Sequence, residues 1–403
     1  MLFTIQRLFV VFSLVLTVIT ASYAQARTVI IPAPPELSAR AYLLVDAKTG
    51  KVIVEHNADE QLPPASLTKM MTSYIVSEEI AAGRLSDLDL VRISDDAWRR
   101  GGAASGSSTM FLNPRTEVPV IDLLRGVIIQ SGNDASIALA QHIAGSEEAF
   151  ADIMNQQAAF LGMKNSHFVN ATGWPAEGHI TTAKDLSILA TAVINDHPEH
   201  YSIYSEKYFK YNGINQPNRN KLLFTNKYVD GLKTGHTNEA GFCLVASAKQ
   251  DDMRLVSVVM GTNSEKVRAA ESQRLLAYGF RYYETHQLYG SDDTVDTVKV
   301  WAGTQDQLAL GVKKPLVMTI PKGSYKSLDA KTHVDSVIKA PITEGQVLGK
   351  LVVSLDDEVI AQSDLVAMNG VTEAGIFSRL IDNIVLMFQG SGSSEAEAEP
   401  ESE

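Results

Sequence analysis

The 403-residue chain has 45% hydrophobic residues, 20% charged residues and a formal net charge of -12 at pH 7. That is apolar material for a large core and length for about two or three domains. The acidic balance excludes binding driven by nucleic-acid phosphates, and a single cysteine, Cys243, excludes an intrachain disulfide or a multi-cysteine zinc site.

Arg7 precedes the apolar run Leu8 to Thr20, broken only by Ser13 and Thr17. Ser22-Tyr23-Ala24 and Ala24-Gln25-Ala26 offer small-residue exits. The run is short for the ~20 residues of a membrane span. The pattern predicts a cleaved secretory signal over residues 1–26, so the mature protein works outside the cytoplasm.

From Ala41 the sequence reads as a hairpin: strands Tyr42–Val45 and Val52–Val54 flank the turn Lys48-Thr49-Gly50. Pro63-Pro64 interrupts, and a helical pattern runs from Ser66 to Ile80. Helices are predicted over Val120–Gln130, Asp134–Ile143, Glu147–Leu161 and Thr182–Ile194. The Gly-rich stretch Arg99 to Ser108 reads as a loop rimming a cleft. Strands return at Leu222–Thr225, Gly231–Lys233, Phe242–Ala248 and Leu255–Met260, followed by a helix over Val267–Tyr278. Strands, inserted helices, then strands again mean α+β, not an alternating parallel sheet.

The character changes near residues 284–292. Short β-patterned runs separated by Gly and Pro predict a small all-β domain over 285–370, after a larger domain over 27–284. Ile376, Phe377, Leu380, Ile381, Ile384, Val385 and Phe388 recur at helical spacing, opposite Ser378, Arg379, Asp382 and Asn383. An amphipathic helix over 371–389 suits a membrane interface and is too short to cross a bilayer. The tail 390–403, with five glutamates, reads as disordered and solvated.

Three short motifs carry the chemistry. In Ser66-Leu67-Thr68-Lys69 a helix puts residues i and i+3 on one face, so the amine reaches the hydroxyl. A serine is a poor nucleophile without a base, and a lysine serves as one when burial and neighbouring cations lower its pKa. A second match, Ser336-Val337-Ile338-Lys339, lies in the β-patterned region, where i and i+3 point to opposite faces. Ser131-Gly132-Asn133 occupies a break between helices, where a turn projects its side chains. Taken alone, it also fits a helix stop followed by an N-cap. Lys233-Thr234-Gly235, followed by His236, ends a strand and supplies a cation for a carboxylate. Lys48-Thr49-Gly50 repeats the triplet but reads as a turn.

The ordered set resembles the serine penicillin-binding proteins and serine β-lactamases. Within that group the chain is similar to the low-molecular-mass D-alanyl-D-alanine carboxypeptidases. The words that carry this are Pro64-Ala65-Ser66-Leu67-Thr68-Lys69-Met70, Gln130-Ser131-Gly132-Asn133-Asp134 and Gly231-Leu232-Lys233-Thr234-Gly235-His236-Thr237. The resemblance implies a β-lactamase/transpeptidase-like catalytic domain: an antiparallel sheet with inserted helices. It implies an acyl-enzyme on Ser66, with Lys69 as base and Ser131 relaying a proton to the leaving D-alanine. Asn133 would bind the peptide backbone, and Lys233, Thr234, Gly235 and Arg219 the terminal carboxylate. Ser66 and His236 would lend N–H groups to an oxyanion hole. Arg268 is a further candidate for the carboxylate site, and Trp174 and His179 for the cleft wall. The implied partners are peptidoglycan stem peptides, β-lactam antibiotics and, through the C-terminal helix, the periplasmic side of the inner membrane.

No metal or cofactor is expected: His142, His167 and His333 show no ligand spacing, and Cys243 sits in an apolar strand. A class A β-lactamase would carry Ser-Asp-Asn and a Glu-x-x-Leu-Asn loop; here the triplet is Ser-Gly-Asn and no such loop occurs. A DD-endopeptidase of the same superfamily and a non-catalytic membrane scaffold remain the other readings.

Overall fold

The computed structural model describes residues 30–391. The expected secretory segment over 1–26 and the acidic tail beyond Ser391 lie outside the described residues.

β1 (Ala41–Asp46) and β2 (Val52–His56) form the hairpin. Asp46 Oδ1 closes its turn by accepting from the N–H groups of Lys48 and Thr49, at 2.8 and 3.0 Å. β3 (Val229–Thr237), β4 (Gly241–Gln250) and β5 (Met253–Thr262) join them in a five-stranded antiparallel sheet ordered β2-β1-β5-β4-β3. The segment expected as a strand over Leu222–Thr225 is a short helix instead. Asn220 Oδ1 accepts from the Leu222 N–H and starts the turn, and a run of four residues is too short to declare its period.

Residues alternate between two layers along the inner strands. Leu43, Val45, Val245, Val256 and Val258 face the large helical layer. Tyr42, Leu44, Leu244, Leu255 and Val259 face a helix on the other side. The helical layer is built on α1 (Lys69–Ala81), α2 (Asn133–Ala144), α3 (Glu147–Leu161) and α4 (Ala183–Asp196); α5 (Glu265–Tyr282) covers the opposite face. The architecture is α+β, with the inserted helices on one side of an antiparallel sheet.

The rim segment departs from the expected loop. Asp95–Gly101 is a helix whose N-cap, Ser94, accepts from the Ala97 N–H at 2.9 Å. Asp95 and Asp96 open it and Arg99 and Arg100 close it, which suits the helix dipole. Only the part after Gly102 is irregular, with one tight turn at Ala103–Ser105.

The chain passes from helix to strand at Tyr283, slightly before the expected boundary. β6 (Tyr283–Tyr289) pairs with β9 (Leu316–Pro321). β7 (Asp296–Trp301), β8 (Gln307–Val312), β10 (Leu328–Val334), β11 (Ile338–Lys339), β12 (Val347–Leu355) and β13 (Glu358–Ala367) form a six-stranded sheet ordered β10-β12-β13-β8-β7-β11, with its own core. Asp46 ties the two domains: its Oδ2 accepts from Thr285 Oγ1 at 2.5 Å. Thr49 Oγ1 lies 2.7 Å from Thr319 Oγ1. The last helix, α6 (Ile376–Ser391), leaves Ile376, Phe377, Leu380 and Ile381 exposed. Among the described residues no helix is long and apolar enough to cross a membrane.

Asp46 is fully buried and serves a turn and a domain junction at once. Asp46→Ala should therefore cost about 1–3 kcal/mol, read as a lowered urea midpoint. An unchanged midpoint would show that the junction does not depend on this carboxylate.

Candidate active site

Pro63-Pro64 ends the preceding extended segment, and a tight turn at Ala65–Thr68 leads directly into α1. Ala65 is held at φ +47°, in the left-handed region that β-carbons resist. Two glycines permit it. A β-carbon at Gly173 would collide with the Ala65 carbonyl, and one at Gly235 would press on Pro64 and Leu67. The Lys-Thr-Gly strand thus runs close against the turn that carries Ser66.

Lys69 opens α1 and is fully buried. Its Nζ lies 3.2 Å from Ser66 Oγ, 2.6 Å from Asn133 Oδ1 and 2.5 Å from the Thr172 carbonyl. Burial pushes this amine down to about 7, against the nearby carboxylates of Asp134 and Glu147, which pull it up. Desolvation outweighs both charges.

Ser131 follows a helical run that widens to a π-turn over Gly126–Gln130. It sits at φ +59°, ψ 35°, the left-handed corner between that run and α2. This puts its hydroxyl 2.8 Å from Lys233 Nζ. Lys233 is buried on β3 and also reaches the Thr234 carbonyl at 3.2 Å. Burial first, then the Lys69, Arg219 and Arg268 cations, push this second amine well below its ordinary range. A substrate carboxylate would supply the anion that restores its proton.

A cleft of about 270 Å³ is lined by Ser66, Ser131, Arg219, Thr234, Gly235, His236 and Arg268, joined by Ser108, Phe242 and Glu265. Asn133 and Lys69 lie just behind it, joined to each other. A larger groove of about 760 Å³ behind α5 holds none of these groups, so chemistry and not size picks the site. Arg219 is exposed; Arg268 is buried and occupied, donating to the Gly235 carbonyl at 3.1 Å and to Glu265 Oε1 at 3.2 Å. The exposed His236 ring packs on Phe242 with centroids 3.9 Å apart.

Two expected wall residues stand elsewhere. His179 is buried behind the nucleophile, where Nδ1 accepts from the Val169 N–H, so the ring's N–H at Nε2 faces Thr68 Oγ1 at 2.9 Å. Burial first, then His167 and Lys69, push that imidazole down to about 4. Trp174 is half-buried with the Arg100 guanidinium 5.6 Å from its ring centroid. Cys243 is core, and its thiol is pushed up to about 11 by burial. Among the described residues no cluster of three or more His, Cys, Asp or Glu could hold a metal ion.

A supporting ring escaped the sequence reading. Asn170 Oδ1 accepts from the N–H groups of Thr172, Gly173 and Trp174, at 3.2, 2.8 and 3.2 Å, and fixes the turn whose carbonyl holds Lys69. Asp134 accepts from Thr109 Oγ1, Met110 N and Leu112 N, pinning the rim segment to the start of α2. Asn-x-Thr-Gly and Asn-Asp at a helix start are the signals that could have found them.

Residues 28–264 match the family model described as D-alanyl-D-alanine carboxypeptidase, and residues 283–373 match the penicillin-binding protein 5 C-terminal domain. The chain belongs to the D-alanyl-D-alanine carboxypeptidase family. It is a low-molecular-mass penicillin-binding protein with DD-carboxypeptidase function. It is 44% identical over 388 residues to D-alanyl-D-alanine carboxypeptidase DacA of Escherichia coli K12, covering 95% of this chain and 96% of that one. Penicillin-binding protein 5 of Haemophilus influenzae superposes with a TM-score of 0.80 at 42% identity, covering 85% of this chain and all of that one (100%). Penicillin-binding protein D2 of Listeria monocytogenes, in its ampicillin-bound form, gives a TM-score of 0.54 at 30% identity, over 62% of this chain and 100% of that one.

Asn170 braces the turn whose Thr172 carbonyl meets Lys69. Asn170→Ala should lower the acylation rate by about 10²-fold, because a small misplacement of the base is enough. Burst labelling with a fluorescent penicillin would read it; a rate within a factor of about two of the parent would remove Asn170 from the site.

Proposed function

We propose that this enzyme removes the terminal D-alanine from peptidoglycan stem peptides through an acyl-enzyme on Ser66. The observation that carries this reading is the buried Lys69 amine at 3.2 Å from Ser66 Oγ, with its pKa pushed down to about 7. As a neutral amine, Lys69 takes the hydroxyl proton while Oγ attacks the carbonyl carbon between the two D-alanines. The tetrahedral oxyanion is met by the N–H groups of Ser66 and His236. The C–N bond then breaks, the nitrogen receives a proton through Ser131, and D-alanine leaves. Water attacks the ester, returns the acyl group as a carboxylate and frees Ser66.

On this reading Asn133, whose Oδ1 accepts from Lys69 Nζ, also binds the peptide backbone. Arg219, Lys233 and Thr234 receive the terminal carboxylate, while Arg268, which also lines the cleft, is engaged by the Gly235 carbonyl and Glu265. β-Lactams present an amide to the same hydroxyl and acylate Ser66; the ampicillin-bound relative supports this.

The reading extends to location. A secretory segment delivers the chain to the periplasm, and α6 lies in the inner-membrane interface. Asp382 Oδ2 accepts from the Ala302 N–H at 2.8 Å, which turns the polar side of α6 toward the β domain. Ile376, Phe377, Leu380, Ile381, Ile384 and Val385 are then left outward, between 39% and 83% exposed.

Ser66→Ala should abolish both penicillin labelling and D-alanine release from a stem pentapeptide. Persistent labelling would move the nucleophile elsewhere. Because the neutral amine is the base, acylation should rise with pH through about 7 and fall about tenfold per unit below it. A flat profile across that range, or full labelling of Lys69→Ala, would exclude Lys69 as the base. Removing residues 375–403 should release the protein from membranes with its activity intact. Identical fractionation of the two forms would end the anchor reading.

A further inference from the structure

Glu147 is the first residue of α3, and its carboxylate is only 6% exposed. It is buried next to an active site whose chemistry, as read above, does not use it. Its Oε1 accepts from the Ala171 N–H at 3.1 Å, and its Oε2 from Arg100 Nη2 at 2.7 Å. Ala171 is also gripped from the other side, where its carbonyl accepts from Thr72 Oγ1 at 2.7 Å. The next residue, Thr172, offers its carbonyl to Lys69 Nζ, and Gly173 beyond it packs on the Ala65–Ser66 peptide. Glu147 therefore braces, at one residue's remove, the backbone that holds the lysine.

The second partner matters as much. Arg100 lies in the last turn of the rim helix Asp95–Gly101, and its side chain is 41% exposed. It reaches Glu147, shares Asp96 Oδ2 at 3.2 Å, and lies over the Trp174 ring. From the same rim segment the Ser108 carbonyl accepts from the Asn133 N–H at 2.9 Å. Rim, turn and lysine are thus joined in one continuous set of bonds.

We propose that the Arg100–Glu147 ion pair is a positioning device for the base: it clamps the Ala171–Thr172 peptide onto Lys69 and fixes how much negative charge that amine meets. The inference rests on the reading of Lys69 as the base. The titratable groups around Lys69 are the carboxylates of Asp134 and Glu147, the Lys233 amine, and the imidazole of His179 behind Thr68. Asp134 is satisfied by N–H and hydroxyl donors that hold the rim backbone. Glu147 differs, because its counter-charge is a partly exposed arginine on the rim helix. Removing the arginine leaves a buried carboxylate unshielded, and the protonated lysine becomes easier to form. Removing the carboxylate's charge does the reverse.

The test is the pH profile of the second-order rate of acylation by a fluorescent penicillin, on full-length protein, between about pH 5 and about pH 9. Arg100→Met should move the acid limb up by about half a unit or more, and Arg100→Lys should restore it; Glu147→Gln should move it down by a similar amount. Glu147→Ala, which also removes the brace, should lower the plateau rate by about tenfold or more. KM for a D-Ala-D-Ala peptide should stay within about twofold in the arginine variants, because the carboxylate pocket is untouched. Limbs that do not move, or that move the same way for Arg100→Met and Glu147→Gln, would overturn the proposal. Thermal melting separates a purely structural role, which lowers stability without moving the limb. Lys69→Ala is the control for the underlying reading: if it acylates normally, that reading fails; if it is inert while the limbs stay fixed, only the ion-pair inference fails.

Discussion

A single nitrogen organises this molecule. The Lys69 amine has no access to water, and burying an ammonium group costs several kcal/mol. The two carboxylates nearby offset part of that cost but not all of it, so the amine sits at about 7. Its three neighbours come from three different places: the turn before α1, the first residue of α2, and the Asn170–Trp174 turn. The fold has to bring all three to one point. The sheet contributes by giving the helical layer a shared apolar face to pack on.

The same region concentrates backbone strain. Ala65 at φ +47° precedes Ser66, Ser131 itself is at φ +59°, and Phe111 in the rim segment is at φ +66°. Each left-handed non-glycine residue costs on the order of 1–3 kcal/mol and persists only where its surroundings over-determine it. The surroundings here are specific. Gly173 and Gly235 make room against the Ala65 turn, and Asp134 binds the strained rim. Both serine hydroxyls are therefore presented from corners and not from regular helix, where the carbonyls of the preceding turn would compete for them.

Much of this was readable from the residues. Glu147–Leu161 declares its period and its Ser146 cap, and the hairpin declares its turn. The three motifs announce two serines, two amines and an asparagine, though Arg219 came from likeness to a family and not from spacing. What stayed hidden depends on distance along the chain. The Thr172 carbonyl is separated from Lys69 by 103 positions, and no local pattern marks it as a ligand for an amine. The rim helix was obscured by the glycines after it, although Ser94, Asp95 and Arg100 had the capping and charge pattern of a helix. His179 reads as a cleft residue because polar aromatic side chains in aperiodic segments usually face solvent. Its two ring nitrogens instead serve Val169 and Thr68, and it holds the nucleophile's turn from behind.

The cations of the cleft divide into two kinds, and the division bears on what the site selects. Arg268 is 6% exposed and bound to the Gly235 carbonyl, so it steadies the strand that carries the proposed oxyanion donor at His236. Arg219 is exposed at the mouth and free to turn toward a ligand. Lys233 is buried against Ser131, with other cations nearby that disfavour its proton. An incoming carboxylate relieves that repulsion, so the anion and the lysine's proton bind together. A ligand lacking the carboxylate leaves the repulsion in place and leaves Ser131 next to an amine with less charge to share. If the cleft receives a terminal carboxylate as proposed, that group does more than anchor the peptide. On the proposed reading it completes the electrostatics of the proton relay, which ties recognition of a free C-terminus to the step that expels D-alanine.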